Sequence, residues 1–102
     1  MAKITFETPC EIGDLFFYIL KQYHYENGKQ VYDYSIQPVR VEFFSFHYHK
    51  KEKEIFITAD YINHGIKECF KPTITIGVNA FRNFEDAEKE LLRLKEQNNE
   101  TK

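Results

Sequence analysis

The chain predicts a mainly β fold that ends in one helix, an α+β class with five or six antiparallel strands. Three observations carry that reading. Runs rich in Phe, Tyr, Ile and Val alternate with polar residues at a period of two. An Asn27-Gly28 pair separates two such runs, which is a strong short-range hairpin signal. The period then changes to that of a helix over FRNFEDAEKELLRLKEQ, residues 81–97.

Each element follows from its own residues. In KITFET, residues 3–8, Ile4 and Phe6 alternate with polar neighbours and predict a short strand, which Pro9 ends. Gly13 and Asp14 signal a turn. Residues 15–25 are long enough for a helix, but their density of Phe, Tyr and Ile favours a strand. Asn27-Gly28 turns that strand onto residues 30–36. Pro38 marks an edge or a bend. Residues 39–49 alternate again, with Val39, Val41 and Phe43 in one phase and Phe44, Phe46 and Tyr48 in the next. A phase slip inside one strand predicts a β-bulge.

Lys50 to Lys53 form a charged turn, and residues 54–61 return with Ile55, Ile57 and Ala59 on one side. Asn63, His64 and Gly65 end that strand, residues 66–72 read as loop, and TITIGV, residues 73–78, is the last strand. The helix has Phe84, Ala87, Leu91 and Leu94 on one face, with Asn83 as its N-cap and Glu85 and Asp86 in its first turn. Phe81 is placed to staple the helix start onto the sheet. Residues 1–97 are expected to form one compact domain and residues 98–102 a frayed tail.

Composition bounds the function. Hydrophobic residues make up 42% of the 102 and charged residues 29%, which is globular rather than disordered. Ten Phe and seven Tyr are more rings than one small core hides, so some should serve as recognition surface. A net charge of −2 argues against a dedicated duplex-DNA binder. No apolar run reaches membrane length and no signal-like segment opens the chain, so the expectation is a cytoplasmic protein with no membrane contact. Cys10 and Cys69 are then reduced thiols, and without CxxC spacing they signal neither metal nor redox chemistry.

The two ends of the chain resemble a group of small phage and mobile-element proteins of Firmicutes. The opening, TPCEIGDLFFYI, matches at Cys10, Gly13 and Asp14. The closing helix, AFRNFEDAEKELLRL, is similar at Phe81, Glu85, Ala87, Glu88, Lys89 and Leu91, with Asp86 where the group has a second Glu. The resemblance covers about the first and last fifths of the chain. It implies an SH3-like small barrel with an appended helix, and it supplies no catalytic or binding residues.

Four chemical readings compete. The first is a metal site at His47 and His49, which share one side of a strand. A third ligand would come from Asp60, His64, His24 or Cys69. A turn centred near residues 51 and 52 sets His49 opposite about Glu54 and His47 opposite about Phe56, leaving Asp60 near Phe43 and out of reach. The pair therefore reads as surface histidines, with no metal and no cofactor. The second is a single-stranded nucleic-acid platform of Arg40, Phe44, Phe46, Tyr48, Lys50 and Lys51, where cations interleave with rings.

The third is catalysis. Asp14, Asp33, Glu42 and Asp60 are scattered with no partnered nucleophile, and Cys10 reads as a small buried residue. The fourth is a protein-binding module whose outermost rings are Tyr23, Tyr25, Tyr32, Tyr34 and Tyr48, rimmed by Lys and Glu. This last reading is preferred: a non-catalytic accessory protein that binds a host protein, acting as monomer or homodimer, with inhibition of a host defence protein as one form of it.

Overall fold

A computed structural model describes residues 4–66 and 70–100, with side chains to Gln97. Three long strands dominate it: β1 (Leu15–Glu26), β2 (Lys29–His49) and β3 (Glu52–Tyr61). Two short strands, β4 (Thr73–Ile74) and β5 (Ala80–Phe81), and one helix, α1 (Phe84–Glu100), complete it. The sheet is antiparallel with the order β4-β3-β2-β1-β5. No described helix is long and apolar enough to cross a membrane.

β2 organises the molecule. Its 21 residues would span about 69 Å fully extended, and the longest dimension of the molecule is 60 Å. The first part, Lys29–Arg40, pairs with β1, and the second, Val39–His49, pairs with β3. Val39 and Arg40 therefore have a strand on both sides, and the two hairpins run outward from them in opposite directions. The radius of gyration, 16.4 Å, exceeds the roughly 13 Å of a compact domain this long.

Pro38 does not break β2, contrary to the sequence reading of two separate strands. Its carbonyl accepts the Ile62 N–H at 3.1 Å, so its polar side faces β3. The missing N–H falls just beyond Val39↔Tyr61, where the β2–β3 ladder stops, and no ladder bond is lost.

The predicted bulge is present, but it falls between Val41 and Phe43, with Glu42 as the extra residue, so Phe43 leaves the face of Val39 and Val41 on which the sequence placed it. Its effect is to switch phase. Val39 and Val41 face inward before it, and Phe44, opposite Ile57, faces inward after it. Were Glu42 paired in a regular ladder instead of bulged, Phe43, Ser45 and His47 would turn toward the core. The Glu42 carboxylate is held at 2.6 Å by Lys71.

The core is small: Cys10, Phe16, Val39, Val41, Ile57, Ala59, Ile74 and Ala80. Ile55, Ile57 and Ala59 share the inward side of β3 as expected. The Gly13-Asp14 turn is pinned to β2, since Gly13 N–H donates to Val41 O and Val41 N–H to Asp14 O. Gly13 has φ of 94°, which a residue with a Cβ rarely adopts. The Phe84 ring meets Phe17 edge-on at 5.6 Å, placing the start of α1 on the face of β1 opposite Phe16. Ala87 is fully buried, while Leu92 stays exposed.

Three expectations need correction. Residues 4–8 form no strand; instead Phe6 packs on Phe46 at 5.0 Å and Lys53 bonds the Thr5 carbonyl. TITIGV contributes only Thr73–Ile74, because a turn over residues 75–79, with Gly77 at φ 83°, follows at once. The turn leads into β5, which the sequence reading missed. The sheet also does not close into a barrel. β4 and β5 lie at opposite edges, and among the described residues no ladder pairs them; the isolated bridge Ile76↔Ala80 lies within the turn that connects them. The helix extends to Glu100, into the segment expected to fray.

Candidate binding face on the tyrosine hairpin

The Asn27-Gly28 turn fixes the register of the β1–β2 hairpin and hence which side chains share a face. Asn27 and Gly28 have φ of 52° and 80°, the positive values of a two-residue type I′ turn, and Glu26 lies opposite Lys29. Counting back, Tyr23 lies opposite Tyr32 and Lys21 opposite Tyr34. Tyr23, Tyr25, Tyr32 and Tyr34 therefore meet on one face together with Lys21.

Their rings form a chain of edge-on contacts. Tyr23 is 6.3 Å from Tyr25 and 6.5 Å from Tyr32 between ring centroids. The Lys21 ammonium lies 4.1 Å from the centroid of the Tyr32 ring, an attraction between a cation and a ring face. The rings remain open to solvent, with Tyr25 70% and Tyr23 62% exposed. No carboxylate lies on this face between Ile19 and Ile36; Glu26 and Asp33 are on the reverse.

The reverse face holds His24. Its Nε2 is 2.9 Å from Glu26 and its Nδ1 2.8 Å from Asp33. Both ring nitrogens face carboxylates, so the arrangement suits the imidazolium, in which both are donors. The hydrogen bond to Glu26, helped by the charge of Asp33, holds the imidazole above its ordinary range.

The other sequence-picked residues lie elsewhere. Phe44 packs against the core, and Phe46 contacts Phe44 and Phe6. Tyr48, opposite Lys53, is 47% exposed. Arg40 points to the other side of the sheet from Val39 and donates to the Gly13 carbonyl at 3.1 Å. Lys50 and Lys51 are the exposed central residues of the β2–β3 turn. The interleaved platform of Arg40, Phe44, Phe46, Tyr48, Lys50 and Lys51 is thus divided between two sides of the sheet and a turn.

The histidine pair also differs in register from the expectation. The turn is centred on Lys50 and Lys51, so His49 lies opposite Glu52 and His47 opposite Glu54. Together they line a shallow cleft of about 140 Å³. The His47 ring sits edge-on to Phe56 at 4.9 Å. Asp60 pairs with Arg40, far along the strand. Among the described residues no group of three or more His, Cys, Asp or Glu is gathered to hold a metal ion. Cys69 lies outside the described residues.

The remaining acidic candidates have local jobs. Asp14 accepts the Glu11 N–H at 2.9 Å, Asp33 holds His24, and Glu42 holds Lys71. Burial, then the nearby Asp14 charge, pushes the Cys10 thiol up, which keeps it protonated. His24 is committed to two carboxylates on the hairpin.

The sequence reading picked the four tyrosines but missed Lys21 and the clamp around His24. Both were available from the turn, since an Asn27-Gly28 hairpin sets every opposite pair back to Leu15. No protein-family model, curated protein or solved structure matches this chain.

Proposed function

We propose that the protein is a non-catalytic binding module that engages a protein partner with the tyrosine face of the β1–β2 hairpin. The observation that carries this reading is the exposure of Tyr23 and Tyr25, at 62% and 70%, on a projecting hairpin. Large aromatic side chains with a polar tip and few rotatable bonds are the residues that dominate binding energy at interfaces. Here they hold no core together, so the fold gains little from them.

The finer reading follows the resemblance of the chain ends to small phage and mobile-element proteins. On it the partner is a host protein in the bacterial cytoplasm, and binding inhibits it. The same resemblance suggests an SH3-like sheet. In support, the turn over residues 75–79 brings β4 and β5, at opposite edges, within five residues of one another in sequence.

One observation favours a second reading, binding of single-stranded nucleic acid. The tyrosine face carries Lys21 and no carboxylate, and exposed rings on which bases can stack, beside a cation, suit a single strand. Affinity capture from bacterial lysate, with and without nuclease, separates the two. A protein retained at stoichiometric amount after nuclease, and lost with Tyr23→Ala/Tyr25→Ala, supports the protein-binding reading. Recovery of nucleic acid alone, released by moderate salt, replaces it with the second.

A further inference from the structure

The outer edge of β1 is open beyond Ile19. The Ile19 N–H donates to Asn79 O at 2.9 Å, the last backbone bond on that side among the described residues. Alternate residues of a strand send their polar backbone groups to the same side, so Lys21, Tyr23 and Tyr25 direct theirs outward. Native edges are usually blocked by a bulge, a proline, charged side chains or a covering element, and among the described residues only the Lys21 side chain stands along Lys21–Tyr25. A two-stranded ribbon is also marginal alone and gains from added strands.

We propose that β1 of a second copy adds to this edge, antiparallel, about a twofold axis through Tyr23. Length and charge select that register. The axis sets Tyr23 against Tyr23 of the second copy, and Lys21 against Tyr25 at both ends. Each of these pairs exchanges two backbone hydrogen bonds. No like charges meet, His24 lies opposite Gln22, and each Lys21 ammonium comes beside a Tyr25 ring. An axis at Lys21 would set two ammonium groups directly opposite. An axis at Tyr25 would run the pairing into Asn27-Gly28, whose positive φ values end the strand.

The competing edge is that of β2. There Pro38 directs its carbonyl to Ile62, so Gln30, Tyr32 and Tyr34 are the outward residues. Its rings are more covered, with Tyr32 39% exposed and Tyr34 half-buried. The β1 edge therefore leaves more surface to bury. The product is a four-stranded arm, β2-β1-β1-β2, whose tyrosines form one continuous face. The pairing stands independently of the partner-binding reading.

The test is site-directed cross-linking in a Cys69→Ser background, with the buried Cys10 left in place. Opposed residues of a hydrogen-bonded antiparallel pair have Cα atoms about 5.5 Å apart, inside disulfide range. Under mild oxidation Tyr23→Cys should form a covalent dimer at least about tenfold faster than Lys21→Cys or Tyr25→Cys, whose symmetric pairs lie roughly 13 Å apart. Light scattering on the unmodified chain should show dimer mass at high concentration. Tyr23→Pro, which removes an N–H that β2 does not use, should return it to monomer. Faster cross-linking of Tyr32→Cys, or monomer mass at every concentration, would overturn the proposal.

Discussion

The two hairpins close with the same kind of turn made from different residues. Asn27 and Gly28 in the first, and Lys50 and Lys51 in the second, all have positive φ. Asn and Gly accept that conformation readily, whereas a lysine in it costs about 1–2 kcal/mol. The second hairpin can carry that cost because its inner face is packed. Phe44, Ile55 and Ile57 lie against the core, and Phe6 covers Phe46. Beyond Leu20 the first hairpin has no fully buried side chain, so its turn chemistry has to hold it. The rings differ by degree: in the second hairpin Phe44 and Tyr61 pack against the core and Phe46 is 49% exposed, whereas beyond Leu20 in the first Tyr23 and Tyr25 reach 62% and 70%.

The largest effect should come from breaking the root that both hairpins share. Phe16→Ala removes a fully buried ring opposite Val39 and should cost about 3–5 kcal/mol. Urea unfolding followed separately at the two hairpins should show one transition. Two separated transitions would mean that the hairpins are independent. Next in size is an exchange of turns. Lys50→Asn/Lys51→Gly should stabilise by about 1–2 kcal/mol, and Asn27→Lys/Gly28→Lys should destabilise by a similar amount. Equal stability in all three proteins would remove the contrast in turn chemistry.

Smaller still is the contrast between covered and exposed rings. Phe6→Ala, which loses the Phe46 contact, should cost about 0.5–1.5 kcal/mol. Tyr25→Ala should stay within about 0.5 kcal/mol of the parent in thermal unfolding. The smallest effect is that of pH on the first hairpin. His24 is raised above its ordinary value of 6.5 by Glu26 and Asp33, with Lys29, opposite Glu26, as the neighbouring cation. Its stabilising contribution is complete below 6.5 and is lost as pH rises through the raised value. NMR titration of the ring should show that value falling toward 6.5 in Glu26→Gln/Asp33→Asn. Hydrogen-exchange protection factors at Gln22 and Val31, whose N–H groups lie within the β1–β2 ladder, should fall over the same pH window in the parent and stay flat in His24→Gln.

Features set by local chemistry were legible in the sequence. Asn27-Gly28 gave the first hairpin, the phase slip read between Phe43 and Phe44 gave the bulge, though it stands at Glu42, and the spacing of Phe84, Ala87, Leu91 and Leu94 gave the helix. Features set by neighbours were not. Whether Pro38 breaks a strand depends on where β3 ends, which the sequence of β2 does not contain. Ile4 and Phe6 alternate like a strand, yet one ring contact holds them without a ladder. β5 is two residues long and exists because residues 75–79 turn it onto Phe17 and Tyr18. For the candidate site, the four tyrosines were legible as a group because a turn fixed their register. Phe44 and Phe46 looked equally available until the bulge directed them inward.

The sharing of β2 between two hairpins has a kinetic consequence. Both hairpins join residues close in sequence, so each can zip from its own turn, and isolated hairpins form in microseconds. The distant joins, β5 and α1 onto β1, are few and close the longest loops, so they should set the folding rate. On a chain emerging from the ribosome, Asn27-Gly28 appears before Lys50 and Lys51. The tyrosine hairpin can then form while the second half of its own long strand is still being made. That early ribbon has an open β1 edge and no third strand. While the chain is still being made it is a place where two nascent copies could first meet.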